Sequence, residues 1–244
     1  MTSADHLTRH KRHLLLKEIG GPGVAKLAAA KVTLIGAGAL GGPCALYLAA
    51  AGVGQIEVFD GDVVDLSNLQ RQVQFSQSEI GANKAEALCA RLCALNSDIV
   101  TVARPVMFAR NTQPAGDILI DATDTFAARF DINGVASEHG SILVSGAAIG
   151  WAGQVGVFAP GRPEIGPCYR CLVPEDPDQD EDCETLGVVG AVTGITGARM
   201  ALEVIKHVTG AGAPGMGHLW RVDGLTGQSR VVRVPADPAC PHCA

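Results

Sequence analysis

The chain has 244 residues, enough for one large α/β unit, and 47% of them are hydrophobic while only 4% are aromatic. A formal net charge of −6 argues against broad nucleic-acid binding, and no apolar run approaches the roughly 20 residues that a bilayer span needs. Eight cysteines behind a polar amino-terminal stretch that does not read as a secretory signal point to a reducing compartment, the cytoplasm, where thiols bind metal or react and do not pair.

Leu14, Leu15, Leu16 and Ile19 among basic residues predict an amphipathic helix over 8–20. The glycines at 20–23 predict a break, followed by a second short helix over 24–30. A strand over 31–35 leads into the run G-A-G-A-L-G and then a helix over 40–51, with Pro43 in its first turn, where a missing N–H does no harm. A second strand over 56–60 ends in Asp60, completing a βαβ unit. After a polar connection over 61–81, Asn83 caps a helix that runs to Leu95. On that helix Cys89 and Cys93 stand four apart among Leu88, Leu92 and Leu95, a spacing that predicts one buried face. Strands follow over 99–103 and 117–121, then a helix ending near His139, then strands over 141–145 and 154–159. Seven carboxylates fall within 174–184, and such a run repels itself and stays solvated as an exposed, mobile loop. A long helix over 192–208 and a hairpin over 220–222 and 229–234, turning at Gly224 and Gly227, complete the chain. The expected fold is α/β and Rossmann-like. Its sheet is mixed and mainly parallel, with antiparallel strands at the carboxyl-terminal end.

Between the first strand and its helix, Gly36 permits a tight turn, Gly38 lets a phosphate approach the backbone, and Gly41 lets helix and strand pack closely. The helix start offers free N–H groups to an anion, and Asp60 is placed to accept hydrogen bonds from ribose hydroxyls. This loop alone does not separate NAD from ATP. The next segment does: Asp65, Leu66, Ser67, Asn68, Leu69, Gln70, Arg71 and Gln72 form a dense polar patch, and Lys84 opens the following helix. An arginine fork and a lysine point charge suit a triphosphate, whereas a dinucleotide dehydrogenase has no need of them.

Cys168 with Cys171, and Cys240 with Cys243, form two C-x-x-C pairs, the spacing of a closed structural Zn²⁺ site with four thiolates. His242 lies inside the second pair as a spacer. Cys44, Cys89 and Cys93 read as structural.

The ordered set of S-N-L-Q-R-Q at 67–72, the glycine loop, Lys84, D-A-T-D at 121–124, V-S-G-A at 144–147, G-P-C-Y-R-C at 166–171 and the terminal C-P-H-C resembles the MoeB/ThiF/HesA family, bacterial relatives of the ubiquitin-activating E1 enzymes. The resemblance covers 9–243. It implies one adenylation domain over 1–244, with amino-terminal helices over 8–30, a nucleotide-binding half over 31–150, and a carrier-binding and zinc half over 151–244. The implied reaction is ATP-dependent adenylylation of the carboxyl-terminal Gly-Gly carboxylate of a ubiquitin-like sulfur carrier, with release of pyrophosphate, in molybdopterin, thiamine or thiolation chemistry. By the same resemblance, Gly36, Gly38, Ala39 and Gly41 line the nucleotide turn and Asp60 holds ribose. Ser67, Asn68, Leu69, Gln70 and Arg71 approach adenosine or phosphates, Lys84 neutralises phosphate charge, and Asp124, followed by Thr125, binds Mg²⁺. Arg12 is supplied to the neighbouring subunit of a homodimer. Cys183 matches the position of a cysteine that bonds covalently to the carrier, although Glu181, Asp182 and Glu184 beside it disfavour a thiolate. A separate protein is the expected sulfur donor, and neither a nucleic acid nor a membrane is an expected partner. Ala39 stands where the family often has glycine, and Thr125 where it often has asparagine. The alternatives are an NAD-dependent oxidoreductase, a zinc scaffold that binds a ubiquitin-like protein without activating it, and a family member that adenylates a tRNA base.

Overall fold

The computed structural model describes residues 4–174, 187–213 and 215–243. Eight strands form one sheet: β1 (Lys31–Ile35), β2 (Gln55–Phe59), β3 (Val100–Arg104), β4 (Ile118–Asp121), β5 (Ile142–Ile149), β6 (Ala152–Phe158), β7 (His218–Asp223) and β8 (Gln228–Arg233). Their order in space is β3-β2-β1-β4-β5-β6-β7-β8. The pairings from β3 across to β5 are parallel and those from β5 to β8 antiparallel. The mixed sheet expected from the sequence is therefore present, and its strand order reverses direction at β1.

The helices are α1 (Ala4–Arg9), α2 (Lys11–Leu14), α3 (Gly20–Ala29), α4 (Gly41–Ala51), α5 (Lys84–Leu95), α6 (Phe126–His139), α7 (Tyr169–Leu172) and α8 (Gly190–Thr209). Alternation along the central strands sorts side chains to two faces. Val32, Leu34, Ile56, Val58, Ile120 and Val144 pack with Leu48 of α4, Leu88 of α5 and Met200 of α8. Ile35, Leu119 and Leu143 turn the other way, onto Ile132 and Val135 of α6, beside Phe158 and Tyr169. Helix α4 is apolar nearly all round because it is enclosed, with eight of its residues buried. No helix among the described residues is long and apolar enough to cross a membrane.

Three sequence expectations are corrected. The helix expected over 8–20 is two short helices, because the chain bends at His10 and buries that side chain at 2% exposure against Gly52, leaving Leu15 and Leu16 exposed. The glycines at 20–23 do not break a helix but begin α3, with Pro22 in its first turn. Only Cys89 of the cysteine pair on α5 is buried; Cys93 is exposed and lies 3.0 Å from Thr101 Oγ1. The acidic run over 175–184, with Cys183, lies outside the described residues.

Candidate nucleotide site and metal centre

The sheet reverses its winding where β1 lies between β2 and β4, the usual place for a ligand crevice in an open α/β sheet. Ile35 aligns with both Phe59 and Asp121, so Gly36, Asp60 and Ala122 meet on one rim. Two backbone bonds knit that rim: Gly36 N–H donates to Phe59 O at 2.9 Å, and Ala122 N–H donates to Ile35 O at 2.9 Å. Gly36 has φ +94°, and a β-carbon there would lie 2.7 Å from Ala122 O, so both conformation and space demand glycine. A β-carbon at Gly41 would collide with Gly36 O, which fits the close helix–strand packing expected of this position.

Gly38 is different. A β-carbon there would find only Gln72 Nε2 within 4 Å, at 3.5 Å, so the protein's own packing does not require glycine. The N–H groups of Gly38, Ala39 and Leu40 have no hydrogen-bond partner among the described residues, and they precede the first turn of α4. Unpartnered N–H groups at a helix start favour an anion.

Asp60 ends β2 beside this turn. Its Oδ2 accepts Ala37 N–H at 2.8 Å and its Oδ1 accepts Asp62 N–H at 2.9 Å. Burial pushes its carboxyl above the ordinary aspartate range; the two N–H groups and the Lys84 ammonium pull downward without cancelling that rise. Each oxygen retains a lone pair for a further donor. Lys84 is buried at 7% exposure and donates from Nζ to Asp62 Oδ2 at 3.0 Å. Asn83 caps α5 through Oδ1, which accepts from Ala85 N–H and Glu86 N–H at 2.9 and 3.1 Å. Its Nδ2 also donates to the carbonyls of Asp60 and Asp62, so one side chain positions both the helix start and the acidic strand end.

The polar patch is less uniform than its sequence. Ser67 and Asn68 take part in a capping box with Asp65 that closes a short 3₁₀ turn, Ser67 Oγ donating to Asp65 Oδ1 at 2.6 Å. Those hydrogen bonds hold the Asp65 carboxyl below its ordinary range. Leu69 packs on the core and Gln70 is exposed. Arg71 is half-buried and donates from Nη1 to Ser67 O at 3.2 Å. The start of α8 presses on this segment, since a β-carbon at Gly190 would lie 2.7 Å from Gln70 O.

At the end of β4, on the same rim, Asp121 is fully buried and its Oδ1 accepts from Thr123 N–H and Thr123 Oγ1, while its Oδ2 accepts from Ser145 Oγ at 2.6 Å. Arg129 donates to Thr123 O at 2.7 Å. These bonds fix the loop that presents Asp124, an exposed carboxylate with no hydrogen bond to a described residue. Thr125 caps α6, its Oγ1 accepting Ala128 N–H at 3.3 Å. Arg12 is exposed on α2 and makes no ion pair with a described residue.

Two residues of the site had no place in the sequence assignment of roles, Gln72 and Gln74. They are 5% and 2% exposed, and the Oε1 of each is buried without a partner among the described residues. Gln74 Nε2 donates to Ala37 O at 2.8 Å and Gly38 O at 3.0 Å.

The four paired cysteines converge on one point, all Sγ atoms lying within 4.8 Å of one another. Neighbouring sulfurs are 3.9 Å (Cys168–Cys171), 3.6 Å (Cys168–Cys240) and 3.5 Å (Cys171–Cys243) apart. Four thiolates about 2.3 Å from a tetrahedral zinc sit about 3.8 Å from each other. A disulfide would need roughly 2.0 Å. The quartet fits zinc, with Asp237 N–H donating to Cys171 Sγ at 3.4 Å as an outer support.

The ThiF family model matches residues 10–242. The chain is 38% identical to the sulfur carrier protein adenylyltransferase of Thermus thermophilus, over 98% of this chain and 91% of that one. It is 38% identical to the sulfur carrier protein ThiS adenylyltransferase of Escherichia coli, over 96% and 94%. Against the adenylyltransferase and sulfurtransferase MOCS3 of Mus musculus it is 39% identical over 99% of its own length, and it spans about half of that relative, 53%. The fold is shared with E. coli MccB crystallised with ATP, at a TM-score of 0.83 and 22% identity over all of this chain and 75% of that one. With its glycine turn, acidic strand end and cysteine quartet arranged on this sheet, the chain belongs to the ThiF family.

Proposed function

We propose that the chain adenylylates the carboxyl-terminal glycine of a ubiquitin-like sulfur-carrier protein at the expense of ATP. The observation that carries this reading is the rim where the N–H groups of Gly38, Ala39 and Leu40, unpartnered among the described residues, stand beside the Asp60 carboxylate, with Asp124 exposed just beyond the end of the neighbouring strand β4. Close relatives named as adenylyltransferases of sulfur carriers support it.

In this reaction a carrier carboxylate oxygen attacks the α-phosphorus of ATP, an acyl–phosphate bond forms, and the bond to the β-phosphate oxygen breaks with loss of pyrophosphate. The chain positions and neutralises; it forms no bond of its own in this step. Asp60 accepts ribose hydroxyls, and the turn N–H groups meet phosphate oxygens. Lys84 and Arg71 offset phosphate charge once released from Asp62 and Ser67 O. Asp124 would hold Mg²⁺, a hard cation suited to carboxylate and phosphate oxygens, which would supply further neutralisation. Arg12 acts on the active site of a second copy in a homodimer. Cys183 belongs to a later thiol step and is dispensable for adenylylation. Zinc at Cys168, Cys171, Cys240 and Cys243 serves the fold.

ATP–pyrophosphate exchange with candidate carriers ending in Gly-Gly tests the reading and identifies the pathway among molybdopterin, thiamine and thiolation chemistry. Exchange dependent on one carrier is expected. Calorimetry showing tight binding of NAD and none of ATP–Mg²⁺ would overturn it in favour of an oxidoreductase.

A further inference from the structure

The peptide units of the glycine turn are held from beneath by one side chain. Gln74 lies after the polar patch, and its Nε2 donates both of its hydrogens to consecutive carbonyls, Ala37 O at 2.8 Å and Gly38 O at 3.0 Å. A trans peptide is planar, with its C=O and its N–H pointing in opposite directions. The Ala37 carbonyl shares its plane with the Gly38 N–H, and the Gly38 carbonyl shares its plane with the Ala39 N–H. Drawing both carbonyls down onto Gln74 therefore turns both N–H groups up and away from it. Both are among the N–H groups of the turn that have no partner among the described residues.

The neighbourhood is shaped around this amide. Gln74 is 2% exposed, and a β-carbon at Gly42 would overlap its carboxamide, so the bare α-carbon of Gly42 makes the room. Gly42 N–H donates to Gly38 O at 2.9 Å, which leaves that carbonyl with two donors and a fixed direction. The Gln74 Oε1 is buried and has no partner among the described residues, a cost that packing alone does not explain, since an apolar side chain would fill the same space without it.

We infer that Gln74 is a positioning residue for the nucleotide: its carboxamide aims the N–H groups of Gly38 and Ala39 at a phosphate, and Gly42 is the space that admits it. This rests on the proposed use of ATP and adds the residue that sets the direction of the phosphate donors.

The test compares wild type with Gln74→Leu and Gln74→Met, both of which keep an apolar chain of similar length and remove both hydrogen bonds. Calorimetry measures binding of ATP–Mg²⁺ and of adenosine, which lacks phosphate but retains the ribose that meets Asp60. The expected result is ATP–Mg²⁺ affinity weaker by about ten- to a hundredfold in both variants, as for loss of aligned hydrogen bonds to a charged group, with adenosine affinity unchanged. Equal ATP affinity in wild type and variants overturns the inference alone. Parallel losses for ATP and adenosine assign Gln74 to packing and also overturn it. A wild-type chain that binds adenosine and ATP–Mg²⁺ equally well, or neither, removes the phosphate site itself and with it the proposed function. Should either substitution prevent folding, as judged by melting temperature, the other carries the comparison; should both, Gln74 is structural and the inference fails.

Discussion

Asp60 Oδ2 accepts the backbone N–H of Ala37 at 2.8 Å, so the end of β2 and the first peptide of the glycine turn move as one piece. The carboxylate proposed to receive ribose is thereby placed at a fixed distance from the N–H groups proposed to receive phosphate. Burial raises the Asp60 carboxyl above its ordinary range. An acid raised on folding keeps its proton longer in the folded state than in the unfolded chain, so stability falls as pH rises from the ordinary aspartate value, about 4, through the raised one. Asp60→Asn should flatten that decline in urea titrations run across this window. It should also weaken ATP binding by about tenfold or more through loss of an acceptor. An unaltered pH slope would mean that Asp60 titrates as an ordinary surface acid.

Gly38 and Gly41 look alike in sequence but differ in what they spare. Gly38→Ala meets no close protein atom and should leave the melting temperature unchanged or slightly raised, since alanine restricts the unfolded chain by about 0.4–1 kcal/mol. Its methyl group should nevertheless obstruct phosphate, and ATP affinity should drop. Gly41→Ala drives a methyl into Gly36 O and should destabilise the fold by about 1–3 kcal/mol. Thermal melts and ATP titrations of the two variants side by side decide this; similar behaviour of both would count against the distinction.

Asp124 makes no hydrogen bond to a described residue, so Asp124→Ala should alter stability by no more than about 0.5 kcal/mol while abolishing ATP–pyrophosphate exchange. Retained exchange would remove Asp124 from the Mg²⁺ role. Arg12→Ala should lose activity on its own and recover part of it in mixed dimers with Asp124→Ala, because one intact site can then assemble across the interface. If mixing restores nothing, Arg12 does not act in trans.

Elemental analysis of purified protein should find about one zinc per chain. Cys240→Ser should lower that content and the melting temperature together, because binding energy at such a site is folding energy. A disulfide found by mass spectrometry between any two of the four cysteines, with no zinc, would contradict the sulfur spacing.

The parts of this molecule that were legible in the sequence are those fixed by local backbone chemistry. Gly36 needs a positive φ, Asn83 caps α5 as its position predicts, and the two C-x-x-C pairs meet at one point, as the spacing of a four-thiolate site predicts. What escaped depends on distant approach. Gln74 sits between exposed Val73 and buried Phe75, and nothing in that pattern announces a clamp on residues 37 and 36 positions away. Cys93 stands four residues from buried Cys89, the spacing of one helix face, yet it lies exposed at the edge of that face. The short helix α7 inside the first cysteine pair carries no periodic signal, being shaped by the sulfur cluster and by Tyr169 N–H donating to Asn133 Oδ1 at 2.8 Å.

Every side chain of β8 is exposed, and among the described residues the strand lies at the margin of the sheet with β7 as its sole neighbour. Such a ribbon has little buried area to hold it, so its amides should exchange with deuterium by fraying, far ahead of those in β1 and β4. Its free rim also offers a template onto which a stray extended chain could add, and the guanidinium groups of Arg230 and Arg233 there discourage that addition. The end of the sheet expected to fray first is thus also an end whose charge guards it against clumping.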